Sequence, residues 1–187
     1  MKNLRGNLPN WGCLARCCSI MNVRTLFASL LSLTMFNLMT ASPSDVGAPA
    51  PVASALTDAG ENLNLADVYA ENDYTLVYFY PKADTPGCTK QGCSLRDAYE
   101  ELTDKGVAVI GVSYDKVAKQ RAFKEKYNFP FTLLADTEKQ VAKAFGADGM
   151  VFASRSAYLV HDNKIVYADH KGSTAQQATD VLNFLNQ

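Results

Sequence analysis

YTLVYFYPKADTPGCTKQGCSLRD, residues 74–97, combines a strand pattern, a short loop and the start of a helix. The run 74–80 contains aromatic, aliphatic and β-branched residues without alternation, which is typical of a strand buried on both faces. Pro81 ends this strand. Pro86 and Gly87 then introduce a helix that we expect to reach about Thr103, because apolar residues recur at steps of three and four. A buried strand that leads through a loop into a helix is the unit from which α/β folds are built.

The segments on either side continue this alternation. Further strands are predicted at Val107–Val112 and Thr132–Ala135, and helices at Lys116–Tyr127, Glu138–Phe145 and Ala175–Leu185. Ala157–Val160 and Ile165–Ala168 are predicted to pair as a hairpin, and a smaller hairpin is expected within Leu56–Leu65, after a linker at Pro43–Pro51. The pattern predicts a three-layer α/β sandwich in which helices flank a mixed sheet.

Cys88 lies where the chain leaves the first of these strands and enters its helix. Open α/β sheets bind ligands beyond the carboxyl ends of their strands. Unpaired backbone N–H groups and the positive end of the helix dipole both favour a thiolate at a helix start. Thr85 can place its hydroxyl against the sulfur or against a bound oxygen, and Pro81 and Pro86 restrict the loop. Cys88 is therefore a candidate nucleophile, with a buried inert cysteine as the alternative.

Cys93 follows five residues later. In a regular helix the two Cα atoms would be roughly 8.6 Å apart, whereas a disulfide requires about 4.4–6.8 Å. A bond between the two cysteines therefore requires the helix to unwind, which favours a transient disulfide over a permanent one. A metal site would require further close ligands, and the spacing does not match the usual zinc patterns. A thioredoxin-like exchange centre would have two intervening residues instead of four.

The first 44 residues differ from the rest because they contain four basic residues and no acidic one. An apolar stretch from Thr25 to Met39 is followed by small residues, which is typical of a secretory signal peptide and too short for a membrane span. We expect residues 1–41 to be a targeting presequence, starting at Met1 or Met21, that directs export to the periplasm or the medium. An organellar transit peptide and an uncleaved anchor are the alternatives.

Removal of this segment would leave Cys88 and Cys93 from a total of five cysteines, and the formal net charge would change from −1 to −5 with the loss of four basic residues. A nearly neutral or acidic chain offers no basic patch for nucleic acid. We therefore expect no nucleic-acid partner and, once the presequence is removed, no stable association with a membrane.

The segment YFYPKADTPGCTKQGCSLRD, together with GVSYDK, FTLLADTEKQVAKAFG and SRSAYLV, resembles the peroxiredoxins and in particular the peroxiredoxin Q group, also called bacterioferritin comigratory protein. The resemblance extends from about Val46 to the C-terminus. It implies a thioredoxin-like fold for a peroxiredoxin domain at residues 45–187. The chain departs from the family at Ala157, where a hydroxyl residue is expected, and in its short loop from Gly146 to Ser154.

The resemblance implies that the protein reduces hydrogen peroxide or organic hydroperoxides with electrons from thioredoxin or a similar dithiol. It implies Cys88 as the peroxidatic cysteine, Cys93 as the resolving cysteine, and Arg155 as a positive charge beside the thiolate. The residues expected to bind the peroxide are Pro81, Thr85, Gly87 and Arg155. No metal or cofactor is expected, and the protein is expected to be a monomer.

Two other functions fit the same residues. A thiol-disulfide oxidoreductase or redox sensor could use the same fold and the same cysteine pair. A non-catalytic exported protein could hold the two cysteines as an incidental disulfide.

Overall fold

The computed structural model describes residues 44–187, which form one seven-stranded sheet covered by helices. The strands are β1 Ser54–Thr57, β2 Asn62–Asn64, β3 Tyr74–Phe79, β4 Val107–Ser113, β5 Thr132–Ala135, β6 Ser156–His161 and β7 Lys164–Asp169. The helices are α1 Leu65–Glu71, α2 Pro86–Asp97, α3 Tyr99–Asp104, α4 Val117–Tyr127, α5 Gln140–Ala144 and α6 Gln177–Leu185. The predicted presequence at residues 1–41, with both candidate start sites, lies outside the described residues.

The strand order is β2-β1-β5-β4-β3-β6-β7. The continuous apolar runs form the parallel centre, in which β4 pairs with β3 on one side and β5 on the other. Antiparallel hairpins close both edges, β1 with β2 and β6 with β7. The β6–β7 turn places Asp162 and Asn163 in the left-handed region, as two-residue hairpin turns require. The predicted three-layer α/β sandwich with a mixed sheet is confirmed.

Side chains of β3, and of Tyr80 directly after it, alternate between two different cores. Leu76, Tyr78 and Tyr80 face a cluster that also contains Cys88 and residues of α2, α3, α4 and α6. Val77 and Phe79 face a second cluster, formed with α1 and α5. The cysteine helix therefore packs on the first face of the sheet.

Three details differ from the sequence prediction. Helix α1 was missed, although Asn64 caps it by accepting a hydrogen bond from the Ala66 N–H at 3.0 Å. The helix predicted from Pro86 to Thr103 is two helices that meet at Ala98, and this turn allows Leu102 of α3 to enter the same core as Leu95 of α2. Helices α4, α5 and α6 begin one or two residues later than predicted.

Among residues 44–187, no helix is both long enough and apolar enough to cross a lipid bilayer.

Candidate active site

Cys88 is the third residue of α2, and this helix begins just beyond the carboxyl end of β3 at the centre of the sheet. Its side chain is only 1% exposed. The sulfur therefore lies at the edge where open α/β sheets bind ligands, in the first turn of a helix with its positive dipole end.

The loop before Cys88 is held by side chains from outside it. Asp84 has a left-handed backbone with φ 63°, and its carboxylate accepts hydrogen bonds from Lys126 Nζ at 2.8 Å and from the Tyr127 hydroxyl at 2.7 Å. These bonds lower the pKa of Asp84 below its usual value. The Ala83 N–H donates to Asp115 Oδ2 at 2.7 Å. The loop is thus fixed against α4 and against the residues that follow β4.

Arg155, just before β6, lies beside the sulfur. Its Nη2 is 3.4 Å from Cys88 Sγ, and its Nη1 donates to Gln91 Oε1 at 2.7 Å. Two glycines make room for the guanidinium and its stem. A Cβ atom on Gly87 would lie 3.1 Å from Nη2, and one on Gly172 would clash with Arg155 Cγ. The fold therefore places a permanent positive charge, with further N–H donors, against the candidate nucleophile.

Backbone donors add to this positive environment. An α-helix has no internal acceptors for its first N–H groups, and Pro86 has no N–H, so the N–H groups of Gly87 and Cys88 have no acceptor within the helix. The Thr85 hydroxyl donates to the carbonyl of Lys82 at 2.9 Å and not to the sulfur. Because its proton is already engaged, the Thr85 oxygen is left as an acceptor for the proton of a hydroperoxide.

Cys93 lies on the same unbroken helix and is half-buried against the first core. Both cysteines are free thiols. The helix is continuous from Pro86 to Asp97, so the geometric barrier to a Cys88–Cys93 bond applies to this structure. Gly92 lies between the cysteines and packs so tightly on Phe129 that a Cβ atom would be 2.6 Å from the ring.

Tyr78 lies beneath this helix, fully buried, and its hydroxyl has no hydrogen-bond partner among the described residues. Burial, and then the proximity of Tyr80 and of both cysteines, raises the pKa of Tyr78 well above its usual value. The phenol therefore remains protonated and cannot act as a base for either thiol.

Sequence reasoning missed two buried glutamines next to Arg155. Gln91 and Gln177 are both fully buried, and Gln91 Nε2 donates to Gln177 Oε1 at 2.9 Å. Gln91 could have been noticed, because it follows Cys88 by three residues and so shares its helix face. No local signal marks Gln177, which meets Gln91 only through the packing of α6 on α2.

Pro81 borders a small groove with Tyr114 and with the exposed apolar residues Val151 and Phe152, next to the loop that carries Thr85. Within residues 44–187, no three His, Cys, Asp or Glu side chains group in a way that could hold a metal ion. The sulfur, the guanidinium of Arg155 and the donors of the first helical turn are together arranged for thiolate chemistry on a small electrophile.

Comparison with known proteins adds independent information. The AhpC/TSA family model matches residues 46–168. The chain is similar to peroxiredoxin Bcp of Escherichia coli K12, with 39% identity over 155 residues that cover 78% of this chain and 98% of that protein. A Coxiella burnetii protein named as a peroxiredoxin bcp is 46% identical over 102 residues, which cover 54% of this chain and 66% of its own length. The crystal structure of peroxidoxin BcpB from Mycobacterium tuberculosis superposes with a TM-score of 0.72 at 27% identity, covering 76% of this chain and 97% of that one.

Proposed function

This chain belongs to the AhpC/TSA family, and on that premise we propose that Cys88 is the residue with which it attacks peroxides. Its similarity to proteins named as peroxiredoxins identifies it as a thiol-dependent peroxidase, an oxidoreductase. The observation that supports the role of Cys88 is the 3.4 Å contact between its sulfur and Arg155 Nη2 in the first turn of a helix. This is the electropositive setting that characterises reactive cysteines.

In the first step, the Cys88 thiolate attacks one oxygen of the peroxide bond. A sulfur–oxygen bond forms at the terminal oxygen, which keeps its hydrogen, the oxygen–oxygen bond breaks, and the other oxygen leaves as hydroxide or alkoxide and takes a proton from solvent to become water or an alcohol. Cys88 becomes a sulfenic acid. The Arg155 guanidinium and the N–H groups of Gly87 and Cys88 stabilise the charge that develops on the leaving oxygen, while Thr85 accepts a hydrogen bond from the peroxide.

In the second step, Cys93 condenses with the sulfenic acid, a disulfide forms, and water leaves. Because both cysteines lie on one continuous helix, α2 must first unwind around residues 88–93. Thioredoxin or a similar dithiol then reduces the disulfide by exchange, which returns both thiols. We propose that the protein performs this cycle as a monomer.

Peroxide reduction and disulfide exchange can be separated with the purified protein. We expect rapid consumption of hydrogen peroxide with thioredoxin as the donor, and little reduction of insulin disulfides, because a sulfur that is 1% exposed cannot reach a protein disulfide. The opposite pattern would identify a thiol-disulfide oxidoreductase.

Repeating the assay with an alkyl hydroperoxide would establish the preferred peroxide. Titration of free thiols before and after one equivalent of peroxide would identify a permanent disulfide, since such a bond leaves no thiol to lose.

We further propose that residues 1–41 direct export and are then removed. The proposal is supported by the sequence alone, by the basic start, the apolar stretch and the small residues before Pro43. The N-terminus of exported material should lie near Ser42. A full-length cytosolic product, or delivery to an organelle, would contradict the proposal without affecting the proposed chemistry.

A further inference from the structure

The contact between Arg155 and the cysteine continues into the protein as a chain of buried amides. Arg155 Nη1 donates to Gln91 Oε1 at 2.7 Å, and Gln91 Nε2 donates to Gln177 Oε1 at 2.9 Å. Both glutamines are fully buried, and Gln177 is the first residue of α6. A hydrogen-bonded path therefore connects the C-terminal helix to the guanidinium beside the sulfur.

The chemistry of the guanidinium determines the direction of this path. Arginine only donates hydrogen bonds, so Gln91 must turn its oxygen towards Arg155. Its NH₂ group then faces Gln177, and Gln177 must offer its own oxygen to accept. The amide orientations are thus assigned by the network itself.

This arrangement leaves one buried hydrogen-bond donor unpaired, which lowers the stability of the folded state. Gln177 Nε2 is buried and has no partner among the described residues, and an unpaired buried donor is unfavourable. An apolar side chain at this position would avoid that penalty. The oxygen that Gln177 presents to Gln91 is therefore the feature that accounts for a glutamine here.

We infer that Gln177 is a positioning residue for peroxide attack, which acts by fixing Gln91 so that Arg155 stays against Cys88. The inference rests on the proposed roles of Cys88 and Arg155. Without the Gln177 oxygen, the Gln91 amide would be held only at its Arg155 end, and the oxygen that accepts from the guanidinium would be free to move with the Gln91 side chain.

The position of Gln91 limits the role of Gln177 to the first step of the cycle, the attack of Cys88 on peroxide. Gln91 lies between the two cysteines, on the turn of α2 that must unwind before they can bond. Unwinding withdraws Gln91 from both Arg155 and Gln177. The amide chain therefore exists only while α2 is helical, and it should affect the attack on peroxide and not the formation of the disulfide.

The test uses the protein in a Cys93→Ser background, so that the first step is observed alone. Oxidation of Cys88 by hydrogen peroxide is compared with its alkylation by iodoacetamide, a reaction that breaks no oxygen–oxygen bond. Gln177→Met removes the amide with little change in volume, and Gln177→Glu retains an acceptor oxygen. Ser94→Ala is the matched control, because it removes the neighbouring α2–α6 hydrogen bond, from the Ala178 N–H to Ser94 Oγ at 3.1 Å, and leaves the amide chain intact.

We expect Gln177→Met to slow oxidation by peroxide about fivefold to tenfold, the effect of one lost hydrogen bond to a charged network, with alkylation changed by less than about twofold. Gln177→Glu should recover most of the peroxide rate, and Ser94→Ala should resemble the background protein. If Gln177→Met does not fold, Gln177→Asn decides the matter, because its amide is too short to reach Gln91 and should give the same selective loss.

Other results would overturn the inference. If Gln177→Met is oxidised by peroxide at an unchanged rate, Gln177 only supports the packing of α6. The same conclusion holds if oxidation and alkylation change equally and Ser94→Ala shows the same change. Arg155→Met serves as the reference. If Cys88 of Arg155→Met is oxidised by peroxide at the normal rate, the proposed role of Arg155 is wrong. If Cys88 is oxidised slowly in Arg155→Met but at the normal rate in Gln177→Met, only the inference about Gln177 is wrong.

Discussion

Cys88 and Cys93 lie on the same helix, yet their surroundings differ in kind. Cys88 sits in the first turn, against Arg155 and unpaired N–H groups, whereas Cys93 lies a turn and a half later against the apolar core and makes no hydrogen bond within the described part of the chain. The Arg155 guanidinium and the first-turn N–H groups can stabilise negative charge that develops at Cys88, whereas Cys93 packs against apolar side chains, and Arg96, the charged residue that interacts with it, is paired with Asp97. One helix can therefore assign different chemical roles to two identical side chains.

The backbone segments around the two cysteines also differ in how they are held in place. The loop before Cys88 is held by Asp84 and Asp115, through contacts that do not involve α2. The turn that carries Gln91, Gly92 and Cys93 keeps its contacts only while it is helical, and its glycine lowers the helix propensity by about 1 kcal/mol relative to alanine. The loop before Cys88 can therefore remain in place while the turn that carries Cys93 unwinds.

Removal of the sulfur next to Arg155 should have the largest effect on activity. Cys88→Ser should lower peroxide turnover with a thioredoxin donor by about a thousandfold or more, because a serine hydroxyl is not ionised at neutral pH and lacks an activating base here. Peroxide consumption measures the effect, and circular dichroism should show an unchanged fold. Substantial turnover by this variant would remove Cys88 from its assigned role.

Cys93→Ser tests the other site. This variant should still reduce the first equivalent of peroxide, because attack requires only Cys88, and should then stop as the sulfenic acid unless an external thiol is present. It should also proceed to sulfinic acid more readily, since the competing condensation is lost. Mass spectrometry of the Cys88 peptide follows both products. Normal turnover with thioredoxin would show that one cysteine suffices.

Amide hydrogen exchange can measure the opening of the backbone around each cysteine. Oxidation to the disulfide should increase exchange across Cys88–Arg96 by about tenfold or more, because the helical hydrogen bonds there must open. Strand β3 should be unaffected and serves as the internal control. Equal exchange in the reduced and oxidised protein would mean that the helix does not have to unwind.

Asp84→Asn tests the anchor of the loop. The pKa of Asp84 is lowered by its bonds to Lys126 and Tyr127, so its ionised form stabilises the folded state at neutral pH. This contribution is present above the unfolded-state pKa of about 4 and is lost as the pH falls through the lower folded-state value. Urea unfolding should therefore show a less stable variant at pH 7, with a difference that shrinks as the pH falls below about 4 and is gone once the pH lies below the lowered folded-state pKa. Asp148→Asn, a change to an exposed carboxylate, is the control; a difference that persists at low pH would contradict the assignment.

Gly92→Ala is expected to have the smallest effect. Alanine would favour the helix by about 1 kcal/mol, but its Cβ would meet the Phe129 ring, which stacks on Phe131 at 5.2 Å and cannot easily move. Because overpacking costs about 1–3 kcal/mol, the net result should be a loss of about 1 kcal/mol in the free energy of unfolding. Lys90→Ala, an exposed helical position, controls for propensity. A clear increase in the free energy of unfolding of Gly92→Ala would show that the Phe129 ring can move aside.

Much of this protein could be predicted from its sequence. The runs at 74–80 and 107–112 contain enough apolar and β-branched residues to specify central strands, and Pro86-Gly87 marks the start of the cysteine helix within a few residues. These are properties of short segments, determined by side-chain period and backbone preference. The position of Cys88 in a first turn follows from them. Arg155 was identified through the family resemblance and not through any local pattern.

Other features were decided by tertiary structure alone. The turn at Ala98 arises because α2 and α3 must both pack against one core. The contact from Cys88 to Arg155 and the contact from Gln91 to Gln177 join residues 67 and 86 positions apart. Such pairs have no signature in a local pattern, because only the packing of the sheet and of α6 against α2 brings them within hydrogen-bond distance.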